Sequence, residues 1–140
     1  MPYDPVLVQP FRDELTIAGV QELITANDVV NSFEINKNTT MLVVVNSVCG
    51  CAAGCARPAV VKSLSNSKKP KAAVSVFAGQ DLEATAKARE LFGPIPPSSP
   101  SMAVYKNGEM VHFIPRHRIE GRSAEDITNE LKMVYDKFCE

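Results

Sequence analysis

The residues of this chain best equipped for chemistry are two cysteines separated by one glycine, Cys49-Gly50-Cys51, with a third, Cys55, four positions on. Thiols so clustered support two kinds of chemistry. One is thiol–disulfide exchange, in which a thiolate attacks a disulfide sulfur. The other is metal ligation by Cys49, Cys51 and Cys55, although such sites usually need a fourth ligand from elsewhere. Gly50 lets the backbone fold tightly enough for the two flanking sulfurs to approach. A disulfide across so small a ring is strained, which makes it easy to reduce and suits it to catalysis or regulation.

The elements around the cysteines favour redox chemistry. Residues 41–45, Met-Leu-Val-Val-Val, form a continuous apolar run, the pattern of a buried parallel strand. Residues 56–65 are compatible with a helix. The pair therefore sits where a strand passes into a helix, and the free N–H groups at a helix start favour a thiolate. Arg57-Pro58 falls inside this helix. The proline predicts either a kink or a looser cysteine loop with the helix starting near Pro58. Arg57 is close enough in sequence to lower the Cys49 pKa by its charge. Cys55 is read as a small buried apolar residue, with a spare resolving thiol as the alternative. Cys139 is read as a packed residue of the last helix.

The 140 residues are expected to form a single domain, 1–140, with a real core. Apolar content of 45% supports a globular chain, and a net charge of -1 gives no electrostatic case for nucleic acid or a membrane surface. No apolar run is long enough to span a bilayer. The first residues, Met-Pro-Tyr-Asp-Pro, lack the pattern of a signal peptide. A cytoplasmic location is expected, where clustered cysteines are more often catalytic, redox-sensing or metal-binding than structural disulfides.

Asp4 and Pro5 read as a helix start, with a restart at Pro10 and an apolar face of Phe11, Leu15 and Ala18 ending at Gly19. Residues 20–24 suit an edge strand. Thr25 and Asp28 form a capping box for a helix to about Phe33. Residues 71–77 read as a second parallel strand. Asp81 is placed as the cap of a helix over 82–92, with Leu82, Ala86 and residues 89–91 as its apolar face. Four prolines in residues 93–100 stiffen the next segment. Asn107-Gly108 between two apolar runs predicts a hairpin. Ser123 opens a last helix with a stripe of Ile127, Leu131, Val134 and Phe138. Together these elements predict an α/β sandwich, a mixed central sheet flanked by helices, with an additional N-terminal helix. Arg116, His117 and Arg118 are read as a solvated loop, or as charges beside the cysteines that attract carboxylates of a small thiol. Neither His112 nor His117 has a metal-ligand spacing to the cysteines, and no metal is expected.

The cysteine pair after a buried strand, Pro100 directly before a later strand, and the hairpin after it resemble the thioredoxin superfamily. The motifs Val45-Asn-Ser-Val-Cys-Gly-Cys51, Ala56-Arg-Pro58, Phe77-Ala-Gly-Gln-Asp81, Pro97-Ser-Ser-Pro-Ser101 and Ile119-Glu-Gly121 resemble the bacilliredoxin family over nearly the whole chain. The resemblance implies a thioredoxin-like fold with a cis-proline at Pro100 packed against the active pair. It also implies removal of bacillithiol from proteins carrying it as a mixed disulfide. Cys49 would attack and Cys51, or a second bacillithiol, would resolve, with Gly50, Pro100 and Arg57 in support. Bacillithiol and its reductase would supply electrons, with bacillithiol as co-substrate and no other cofactor. Disulfide isomerase activity on disulfide-bearing proteins is the alternative that the family also suggests. The sequence leaves the oligomeric state open, a homodimer included.

Overall fold

The computed structural model describes residues 2–140. Its five-stranded sheet is built around β2 (Thr40–Asn46), with β3 (Ala72–Phe77) on one side and β4 (Ser101–Lys106) on the other. The strand order is β1-β3-β2-β4-β5, with β1 (Gln21–Glu22) and β5 (Glu109–Ile114) at the edges. β2 runs parallel to β3 and antiparallel to β4, so the sheet is mixed as expected.

Every residue of β2 is buried, because helices cover both faces of the sheet. The strand's two-residue period sends Leu42 and Val44 to one core and Met41, Val43 and Val45 to the other. The first core lies under α1 (Pro5–Thr16), α3 (Arg57–Ser63) and α5 (Ala124–Phe138). The second lies under α2 (Ala26–Ile35) and α4 (Leu82–Phe92).

Local signals set most element boundaries. Thr25 Oγ1 accepts from the Asp28 N–H, and the Asp28 carboxylate accepts in return from the Thr25 N–H, completing the capping box of α2. Ser123 caps α5 by accepting from the Asp126 N–H. Asn107 and Gly108 both have positive φ, at 52° and 80°, the conformation of a type I′ hairpin turn. The α5 stripe packs as expected through Ile127, Leu131 and Val134, with Phe138 half-buried beside them.

The structure differs from four local expectations. Pro10 does not restart the first helix, and α1 is continuous from Pro5 to Thr16. The proline lies on the exposed face, so the Val6 carbonyl it leaves without a donor faces water. Thr16 ends α1, leaving Ala18 beyond it, and Val8 joins Leu15 on the buried face. The buried side of α4 is Ala84, Thr85, Ala88 and Phe92, while Leu82 and Ala86 are exposed. Asp81 stands at the start of α4, but its carboxylate accepts two hydrogen bonds from the Arg12 guanidinium, at 2.8 and 2.9 Å. That ion pair ties α1 to α4 rather than capping a helix.

Leu131 is fully buried between α5 and the sheet. Leu131→Ala is expected to cost about 2–5 kcal/mol of unfolding free energy, the range for truncating a core leucine. Urea unfolding followed by circular dichroism measures it.

Candidate active site

The end of β2 is anchored before the cysteines begin. The Arg57 guanidinium is 1% exposed. Its Nε donates to Glu14 Oε2 at 2.9 Å, and one terminal nitrogen donates to Asn46 Oδ1 at 3.0 Å and to the Ser47 carbonyl at 2.8 Å. The same group lies over the Phe11 ring, 4.7 Å from its centroid, a favourable cation–π placement. Asn46 Oδ1 also accepts from the Ser47 N–H at 2.9 Å, and Asn46 Nδ2 donates to the Phe11 carbonyl at 3.2 Å. Ser47 is thus held at both its N–H and its carbonyl. Arg57 addresses this loop and α1, not a cysteine sulfur, so its support of the thiols is structural.

From this anchor the Ser47 hydroxyl donates to Cys49 Sγ at 3.3 Å. Helix begins at Gly50, directly after Cys49. The looser-loop alternative, with the helix starting at Pro58, is therefore set aside. Residues Ala52–Ala56 form a π-helical turn, in which the Arg57 N–H bonds the Ala52 carbonyl, and α3 follows. Pro58 has no N–H to give and its ring crowds the preceding turn of a regular α-helix. The wider turn accommodates it and lets the helix run on to Ser63.

Cys49 and Cys51 are free thiols, each half-buried, with their sulfurs 2.9 Å apart. Their environments split them. Partial burial works against ionisation of Cys49, but it is outweighed by hydrogen bonds from the Cys51 thiol, the Ser47 hydroxyl and the backbone N–H groups of Ala52 and Cys51. The Cys49 thiol is held below its ordinary pKa. Cys51 moves the other way. Burial raises it first, then its donation to Cys49 and the charge of that neighbour, with Arg116 only partly offsetting them.

Pro100 is buried, and the Ser99–Pro100 peptide is cis. The pairing of Val45 with Ser101 sets Pro100 beside the end of β2, where the cysteine loop departs. Arg116 is fixed above this edge. Its N–H donates to Ser98 Oγ at 3.2 Å, its guanidinium donates to the Ser99 carbonyl at 3.4 Å, and it pairs with Glu120. Of the basic trio, only Arg116 faces the cysteines. His117 is exposed. Arg118 joins Arg122 and His112 around the Glu130 carboxylate, at 2.9, 2.7 and 2.6 Å.

Cys55 does not join the pair, and it is half-buried rather than buried as expected. Its thiol donates to the Arg122 carbonyl at 3.0 Å, which ties the helix to the segment before α5. Cys139 is buried at the end of α5, and burial raises its thiol pKa. Among the described residues no group of three His, Cys, Asp or Glu side chains is arranged to hold a metal ion. Sequence reasoning missed Glu14, Asn46 and Ser47 as positioning residues. It also missed Arg89 of α4, which lines the groove of about 270 Å³ onto which Cys49 opens. Asn46 and Ser47 lie in a quoted motif, but nothing in their types names the partner, because Arg57 is ten and eleven positions away.

Arg57→Met is expected to lower stability by about 1.5–3 kcal/mol, the range for losing hydrogen bonds to a charged group. Glu14 is half-exposed and stays hydrated, which keeps the loss at that level. Urea unfolding measures the loss, and slower alkylation of Cys49 at neutral pH reports release of the loop.

Known proteins similar to this chain identify its family and its fold. A family model described as "Disulphide isomerase" matches residues 3–139. The chain is 55% identical to a bacilliredoxin of Halalkalibacterium halodurans, over 96% of this chain and 92% of that protein. It is also 55% identical to a bacilliredoxin of Cytophaga hutchinsonii, over 97% of this chain and 99% of that protein. In fold it is similar to reduced thioredoxin pre-protein of Schistosoma mansoni, with a TM-score of 0.59 at 22% identity, covering 85% of this chain and 97% of that one. Thioredoxin NaTrxh of Nicotiana alata gives 0.61 at 18% identity, covering 86% and 93%. The chain belongs to the bacilliredoxin family, thiol–disulfide oxidoreductases on a thioredoxin-like fold.

Proposed function

We propose that this chain, acting as one thioredoxin-like domain, removes bacillithiol from S-bacillithiolated proteins, with Cys49 as nucleophile and Cys51 as resolving thiol. The observation that carries the assignment of roles is the pair of sulfurs 2.9 Å apart with opposite pKa shifts. The thiolate is the nucleophile, and Cys49 is the thiol whose charged form accepts hydrogen bonds from its surroundings.

The chemistry balances in two exchanges. The Cys49 thiolate attacks the bacillithiol sulfur of the mixed disulfide. A Cys49–bacillithiol disulfide forms, and the substrate protein leaves as its thiolate. Once Cys49 carries no charge, the reason for the raised Cys51 pKa is reduced. The Cys51 thiolate then attacks Cys49 Sγ, a Cys49–Cys51 disulfide forms, and bacillithiol leaves with the electron pair. Two further equivalents of bacillithiol, regenerated by its reductase, return the pair to dithiol. Ser47 and Arg57 act by positioning, and Pro100 supports the end of β2 from which the cysteine loop departs. No helix among the described residues is long and apolar enough to cross a membrane, and we place the chain with its substrates in the cytoplasm.

A Cys51→Ser variant mixed with a bacillithiolated protein tests the order of steps. Intact-mass analysis is expected to find one bacillithiol on Cys49 and free substrate protein. An adduct of the whole substrate protein would instead support exchange on protein disulfides, as the name of the matched family model suggests. Absence of any adduct would contradict both roles.

A further inference from the structure

Arg89 is the guanidinium in this structure that most lacks an explanation. It comes from α4, on the opposite face of the sheet from α3, and it lines the groove at Cys49 together with Tyr3, Ser99 and Arg116. Its Nε is buried and has no hydrogen-bond partner among the described residues. No carboxylate lines the groove. The nearest acid along the chain before α4, Asp81, is already taken by Arg12. Burial without a counter-charge works against the charged form of Arg89, and a bound carboxylate would remove that penalty. Arg116, which also lines the groove, is held by Ser98 and Ser99, is paired with Glu120 through its Nε, and leaves part of its guanidinium exposed.

We propose that Arg89 and Arg116 form an anion-recognition groove that holds the carboxylates of a low-molecular-weight thiol beside Cys49. This deepens the proposed function and rests on it. The groove is small, near the lower end of small-molecule sites, so it admits the cap of a mixed disulfide rather than a folded protein segment. Its consequence is regiochemical. A mixed disulfide offers two sulfurs, and a cap held by two arginines presents its own sulfur to the Cys49 thiolate. The bond broken is the one between cap and protein, the new bond joins Cys49 to the cap, and the protein thiolate departs. Arg89 and Arg116 are thus specificity-determining residues for the cap.

The test uses one substrate protein carried in two forms, capped by bacillithiol, which bears carboxylates, or by 2-mercaptoethanol, which bears none. Wild-type protein is expected to remove the first cap faster. In Arg89→Gln and in Arg116→Gln, the ratio of the two rates is expected to fall at least about tenfold, as for one lost charge-assisted hydrogen bond, mainly through KM. Arg89→Lys keeps the charge and should restore part of the ratio. The ratio cancels any common effect on the thiols or on folding, and Arg116, being exposed, guards against an Arg89 variant that does not fold. An unchanged ratio in both glutamine variants overturns the inference. Equal wild-type rates on the two caps overturn it while leaving the proposed function standing. A wild-type protein that does not remove bacillithiol at all overturns the proposed function itself.

Discussion

The site depends on one buried guanidinium. Arg57 sits where β2, α1 and α3 meet, and its hydrogen bonds fix Asn46 and Ser47 before the chain turns into the cysteine helix. Burying a cation there is costly unless it is paired and hydrogen-bonded, and one terminal nitrogen of Arg57 still has no partner among the described residues. Glu14 supplies the opposite charge, two oxygens of the loop take further bonds, and the Phe11 ring covers one face. The result is a Ser47 hydroxyl aimed at a single sulfur. A flexible loop would let that hydroxyl turn to water, and the preference of Cys49 for its charged form would weaken.

From that constraint follows an asymmetry between two chemically identical side chains. A proton shared between sulfurs 2.9 Å apart must rest on one of them. The donors around Cys49 decide that it rests on Cys51. A strongly nucleophilic attacking thiol and a resolving thiol that waits are then consequences of position, with no metal or organic group needed to make the distinction. The π-helical turn serves the same end, since it keeps the cysteines at the start of a continuous helix despite Pro58.

Much of the fold was legible in the sequence because its signals are local. The apolar run of β2, the capping box at Thr25 and Asp28, the Asn107-Gly108 turn and the α5 stripe each specify their own conformation within a few residues. The failures were long-range. The buried face of α4 was misread because small residues, Ala84, Thr85 and Ala88, fit against the sheet where a larger leucine at position 82 was expected to pack. Asp81 was given a capping role because its partner, Arg12, lies 69 positions away. In the site, the cysteine pair and Pro100 were visible as motif residues, while the cis state of the Ser99–Pro100 peptide was not. The directions of Arg57, Cys55 and Arg118 were not, since each is set by contact with a different element.

The proposed division of roles requires Cys49 to be the more acidic thiol of the pair. Mass-resolved alkylation of each cysteine in the reduced wild-type protein, followed across pH, measures this directly. Deprotonation exposes the reactive form, so a depressed pKa moves the midpoint of modification to lower pH. Cys49 is expected to be modified first, with a midpoint below that of an ordinary thiol, and Cys51 in unmodified protein to follow at higher pH. Modification of Cys51 first, or equal midpoints for the two, would contradict it.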